Sequence, residues 1–304
     1  MKRFPLRTAI AALLLLAITA GATQMSLAKK KKKYIFLVPV LKGLSMGAVS
    51  KMMDDFTKVI SKKMGVTVEM TEYEYKKGTK PAKSIVKKVK AGKADFTYFN
   101  GLEYVMNKKL VDKYMKPMFT ITMLNKPTSE VCAYVLKDKD YKDIEDLKDK
   151  EWGGTDTIPT RWLLYTQKIK SPLKKFFGKM TYIDDTNAGT ALDALVGGKI
   201  DVYVSQKHIV EMMRNSKPEY AQKTKSLVCA DYEHNWIFFF DENTDMKVVK
   251  EFRNYMLNVH KDKDFAQFKF LLTAIKGHFV PYDPNELKTT TKIAKLVKKY
   301  DWDK

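Results

Sequence analysis

Cysteine is scarce in this chain: 304 residues contain only Cys132 and Cys229. Both fall in expected strands that flank the middle of the chain, so they are either a disulfide pair or two buried thiols. No cysteine lies near the N-terminus, which rules out a lipid-modified start. Histidine is equally thin. His208, His234, His260 and His278 show no paired ligand spacing and have no cysteine beside them, so no metal is expected. There is no Gly-x-Ser-x-Gly elbow, no P-loop and no His-Glu-x-x-His. Asp184-Asp185 is the one adjacent acidic pair with a catalytic look, and in a polar connection before a helix it reads as a cap. The expectation is therefore no enzyme, no catalytic residue and no cofactor. Past the N-terminal segment, no run is long and apolar enough to cross a membrane. No aromatic-interleaved basic stripe or nucleic-acid motif occurs, so nucleic acid is not an expected partner.

What the chain has in abundance is lysine. Its formal charge is +21. Lys2, Arg3 and Arg7 precede an apolar run, 9–22, that is too short to span a bilayer comfortably, and small-x-small sites follow at Ala20-Gly21-Ala22 and Ser26-Leu27-Ala28. This is the pattern of a secretory signal over residues 1–28, with cleavage after Ala22 or Ala28. Removing 1–28 takes away three positive charges and leaves +18 on 276 residues, enough for one large or two medium domains. The lysines alternate with acids along helices, and 29–33 reads as a solvated tail. The overall field would still concentrate small anions.

Tyr34-Ile-Phe-Leu-Val-Pro-Val40 is apolar at nearly every position, the mark of a parallel strand covered on both faces. A helix follows on Val49, Met52, Met53, Phe56, Val59 and Ile60, then a strand over 66–73 and a helix over 81–91. Next comes an internal echo. Gly92-Lys-Ala-Asp-Phe-Thr-Tyr-Phe-Asn100 resembles Gly198-Lys-Ile-Asp-Val-Tyr-Val-Ser205, with Asp95 and Asp201 standing 106 positions apart. That interval is too long for a solenoid repeat and suits two lobes, each a small open sheet of βαβ units. Ligands of such sheets sit beyond the carboxyl ends of the strands.

Between the halves lies Glu151-Trp-Gly-Gly-Thr-Asp-Thr-Ile-Pro-Thr-Arg161, read as a short strand, a polar loop, and a helix opening near Pro159 or Thr160. A helix start offers free amides and partial positive charge to an anion. Arg161 in that first turn gains nothing from the helix dipole, which makes sense if it clamps a ligand. Strands at 129–136 and 225–229 are expected to carry the chain out to a second lobe and back.

With these pieces placed, the sequence resembles the periplasmic solute-binding proteins of phosphonate/phosphite-type ABC transporters. The resemblance rests on Gly65-Val-Thr-Val68, Lys93-Ala-Asp-Phe-Thr-Tyr-Phe-Asn-Gly-Leu-Glu-Tyr104, Ile144-Glu-Asp-Leu-Lys-Asp-Lys150 and Ala191-Leu-Asp-Ala-Leu-Val-Gly-Gly-Lys-Ile-Asp-Val202. It implies the two-lobed type 2 periplasmic binding fold. The second lobe (131–231) would be inserted in the first (34–130 with 232–304), with two hinge crossings. The family's Ser/Thr-rich loop reads Thr157-Ile-Pro-Thr-Arg161 here, and Asn187-Ala188 stands where the family has a histidine.

The expected ligand residues are Ser45, Tyr98, Phe99 and Asn100 from the first lobe, and Thr157, Thr160, Arg161, Thr186, Asn187, Tyr203 and Ser205 from the second. For Ser45 and Thr186 the alternative is helix capping. Tyr232 and Trp236 either wall the cleft or fill the core. The implied function is periplasmic capture of a small oxyanion by a monomer that closes its lobes and presents the closed form to a membrane permease. The alternative is a ligand-sensing partner of a membrane receptor kinase.

Overall fold

The computed structural model describes residues 33–41, 47–76, 79, 81–154, 156–183 and 188–302. The signal segment, Ser45, Asp184-Asp185, Thr186 and Asn187 lie outside the described residues. Among the described residues, eleven strands fall into two mixed sheets: β1 (Lys33–Leu41), β2 (Thr67–Tyr75), β3 (Phe96–Phe99), β4 (Met115–Ile121), β5 (Thr128–Leu136), β6 (Glu151–Gly154), β7 (Lys179–Tyr182), β8 (Val202–Gln206), β9 (Thr224–His234), β10 (Ile237–Asp241) and β11 (Phe279–Pro281). The first sheet runs β11-β4-β10-β3-β1-β2 and the second β7-β6-β8-β5-β9. The chain leaves the first sheet between β4 and β5 and returns between β9 and β10, so there are two crossings.

The apolar run of β1 is covered on both sides. Phe36 and Val38 face a cluster with Phe56, Phe252 and Phe268 from the helices Gly47–Met64, Met246–Asn258 and Ala266–Ala274. Leu37 faces the opposite way, toward Ile85, Val89 and Tyr104 of the helices Ala82–Lys90 and Gly101–Val111. β1 pairs parallel with β3, as a strand buried on both faces should.

The echo between the two halves has a structural cause. Gly92 (φ 66°) and Gly198 (φ 69°) each end a helix in the left-handed conformation that glycine adopts without a Cβ clash. Three residues later the aspartate holds the neighbouring parallel strand. Asp95 Oδ2 accepts the amide of Ile35 at 2.8 Å, and Asp201 Oδ2 accepts that of Glu151 at 2.9 Å.

In the second sheet, β5 lies between β8 and β9, antiparallel to both. Cys132 stands opposite Cys229 in that register, and the two are joined as a disulfide. The last helix, Lys288–Tyr300, buries Ile293, Ala294, Leu296 and Val297 with Trp152, Trp162 and Leu164 of the second sheet's layer. The same cluster takes in Leu102 of the helix after β3. The C-terminal helix thus packs with elements of both sheets.

Candidate functional site

β3 ends at Phe99, and Asn100 opens the following helix by accepting the amide of Glu103 at 2.7 Å. Strand alternation separates the three residues expected here. Tyr98 faces the crossing: its hydroxyl donates to the carbonyl of Pro39 at 3.2 Å, and its ring lies 5.2 Å from that of Trp236. Phe99 points to the other face and is buried with Phe239 and Tyr104, so it belongs to the core rather than to the cleft. Asn100 and Tyr98 line a cavity of about 640 Å³, shared with Ser129, Gln206, His208 and Glu233 from the second sheet's strands and the helix after β8.

Glu233 is the centre of this junction. It sits near the end of β9, just before the chain returns to the first sheet, and is 8 % exposed. Its carboxylate accepts the amide of Leu102 at 3.0 Å, in the first turn of the helix Gly101–Val111, and Gln206 Nε2 at 2.8 Å. One side chain therefore ties β9 to a helix of the first sheet and to the end of β8. Burial pushes its carboxyl up to about 7. The two hydrogen bonds oppose the rise, and the negative charge of Asp156 adds to it. Glu103 is also pushed up to about 7 by burial, against a bond accepted from Ala82 N at 2.7 Å. Burial takes His208 down to about 4, so its ring is neutral near pH 7, and its Nδ1 has no hydrogen-bond partner among the described residues.

The helix after Gly153-Gly154 opens earlier than expected, at Thr157, because Asp156 caps it. Asp156 Oδ1 accepts the amide of Ile158 at 2.9 Å. Arg161 accordingly falls one residue beyond the first turn. It is half-buried, its Nε has no hydrogen-bond partner, and it forms no ion pair among the described residues. Thr157 is half-buried at the helix start. Thr160 is wholly buried, and its hydroxyl accepts the indole N–H of Trp152 at 3.1 Å. The threonine that looked like a ligand contact instead satisfies a buried tryptophan. On β8, Tyr203 belongs to the core with Ala191, Leu192 and Leu195. Ser205, 9 % exposed, stands opposite Cys132. Tyr232 is core, whereas Trp236 is exposed and lines the cavity. The helix is fixed close to Glu233, since Trp162 donates to the carbonyl of Asp231 at 2.6 Å.

Sequence reasoning missed Ser129, His208, Glu233 and Asn235 as cavity residues. The usable signal was Glu233-His-Asn235, a polar patch between the apolar runs Leu227-Val-Cys229 and Ile237-Phe-Phe-Phe240. Polar residues interrupting two buried strands mark a place where the chain meets a partner or solvent.

The sequence profile of the family described as "ABC transporter, phosphonate, periplasmic substrate-binding protein" matches residues 44–286. Among solved structures, PhnD1 from Prochlorococcus marinus in complex with methylphosphonate is similar over 88% of this chain and 99% of its own, at 15% identity and a TM-score of 0.66. A binding protein component of an ABC phosphonate transporter from Pseudomonas aeruginosa is similar over 89% of this chain and 88% of its own, at 14% identity and a TM-score of 0.62. The periplasmic aliphatic sulphonate binding protein of Escherichia coli covers the same shares at 10% identity and a TM-score of 0.55. No curated protein gives a significant match. At these identities the likeness carries the fold: two lobes, the second inserted in the first, of the type 2 periplasmic binding class.

Proposed function

The chain belongs to the periplasmic substrate-binding proteins of phosphonate ABC transporters, and from that membership we propose that it captures a phosphonate-like oxyanion where its two sheets meet. The family binds solute for a permease and performs no catalysis. The lobes are assigned as 34–130 with 232–304 and as 131–231, and they close over the ligand by bending at the two crossings. Delivery to a permease is preferred to the sensing role, because the matched family is one of transporter components. The protein is taken to work as a monomer, with its signal removed after Ala22 or Ala28.

Arg161 carries the reading. A half-buried guanidinium whose Nε lacks a partner, beside a helix start, is a fork ready for two oxygens of a phosphonate, sulfonate or carboxylate. Thr157, one turn earlier on the same helix, and Asn100 and Tyr98, which line the cavity, supply neutral hydrogen-bonding groups. Asp156 limits the site: its carboxylate already occupies one of the helix's first amides, so the anion is held by the guanidinium more than by the helix dipole.

Calorimetry with methylphosphonate, phosphate, a sulfonate and a carboxylate, on the wild type and on Arg161→Ala, tests this. One anion class should bind, and the variant should lose roughly 10- to 100-fold in affinity, the value of a hydrogen bond to a charged group. Unchanged affinity in the variant would place the anion elsewhere. No binding of any anion by ligand-free protein would end the oxyanion reading.

A further inference from the structure

The cavity at the junction does not stop at the strand ends. It continues into the apolar layer between the first sheet and its helices, where Phe36, Ile121, Phe252, Leu272 and Phe279 wall it. Apart from Thr57, whose hydroxyl donates to the carbonyl of Asp54 at 2.9 Å, its polar members lie at one end, among them Asn100, Ser129, Gln206, His208, Glu233 and Asn235 beside the crossings. Protein interiors are close-packed, with few voids larger than a water molecule, so about 640 Å³ is not ordinary looseness. It lies within the ~300–1,000 Å³ of pockets that enclose drug-sized ligands. Water does not suit the inner part, because apolar cavities of this kind stay dry. An inorganic oxyanion or methylphosphonate would leave most of it unfilled.

We propose that the ligand is an anionic amphiphile whose alkyl or aryl tail enters this cavity while its oxyanion head is held at the junction. The proposal rests on the oxyanion reading above and adds the tail to it. His208 supports the same polarity gradient: its unpartnered Nδ1 lies among the polar members at the mouth and is satisfied by a ligand group passing there. Its neutral ring lets an apolar chain pass without facing a buried charge.

The test is a chain-length series on the full protein: methyl-, butyl- and octylphosphonate below their micelle concentrations, with octylsulfonate as a second head and inorganic phosphate as the tail-free control. Each methylene that enters the cavity should tighten binding about fourfold, until the space is full. Ile275→Trp, which fills the cavity from a half-buried wall position, should abolish the gain for octylphosphonate and leave methylphosphonate affinity unchanged. If methylphosphonate binds and octylphosphonate binds no tighter, the tail falls and the oxyanion reading stands. If the octyl gain survives in Ile275→Trp, the tail lies elsewhere and the proposal is overturned. If no phosphonate of any length binds, the oxyanion reading fails and takes the tail with it. Should the variant not fold, the wild-type series alone decides.

Discussion

Glu233 shows how a buried acid is held by context. Its raised carboxyl means that, between the ordinary value of 4.5 and about 7, the folded chain binds more protons than the unfolded one. The stability it contributes is therefore full below that window and falls as pH rises through it. Glu103 acts in the same direction. His208, lowered from 6.5 to about 4, acts in the opposite one, losing stability as pH falls. A pH profile of the wild type alone mixes these effects, so Glu233→Gln is the useful variant. Its amide oxygen can still accept from Leu102 N, and Gln206 can flip its own amide to accept from the new NH2. Its melting temperature relative to wild type should climb between about pH 5 and about 7.5, equivalent to at most ~1.4 kcal/mol per pH unit. A difference that does not change with pH would mean that Glu233 ionises alike in both states.

At the level of elements, the decisive contact is the start of the helix Gly101–Val111 against the end of β9. A Cβ on Gly101 would lie 2.5 Å from the carbonyl oxygen of His234 and 2.7 Å from its Cβ. Backbone cannot yield as a flexible side chain can. Gly101→Ala should thus cost about 1–3 kcal/mol in urea unfolding, as overpacking does. By pushing the helix from β9 it should also lengthen the Leu102–Glu233 bond and weaken ligand binding. A variant as stable as wild type would show that this approach is looser than described. The control is Gly65→Ala, where nothing lies within 4 Å and only the positive φ of +63° penalises the substitution.

For the whole molecule, the two crossings are where the lobes hinge, and the disulfide lies to one side of them. Cys132–Cys229 closes a span of 97 residues within the second sheet, in the register of β5 and β9. Cys132 faces the cluster of Tyr134, Tyr203 and Leu192, and neither cysteine lines the cavity. Replacing both by alanine should cost roughly 2–5 kcal/mol, through the freed unfolded chain. Ligand affinity at a temperature where the variant stays folded should not change. Calorimetric melting and titration of the same sample would separate the two effects, and a loss of affinity with intact folding would tie the disulfide to the site.

The sequence by itself determined the elements and their order. The unbroken apolar run of β1, the glycines that stop two helices and the aspartates three residues later are local signals, written in neighbouring positions and read without knowing what lies opposite. That is why the two-lobed plan and the turn at Tyr98–Asn100 were legible. Tertiary structure alone decided which polar groups remain free for a ligand. Thr160 is taken by Trp152 and Gln206 by Glu233. Glu233 reaches Leu102 across 131 positions, and the cavity is walled by strands and helices from distant parts of the chain. Whether a hydroxyl or carboxylate is satisfied depends on partners that only folding brings within 3 Å, and no local pattern specifies them.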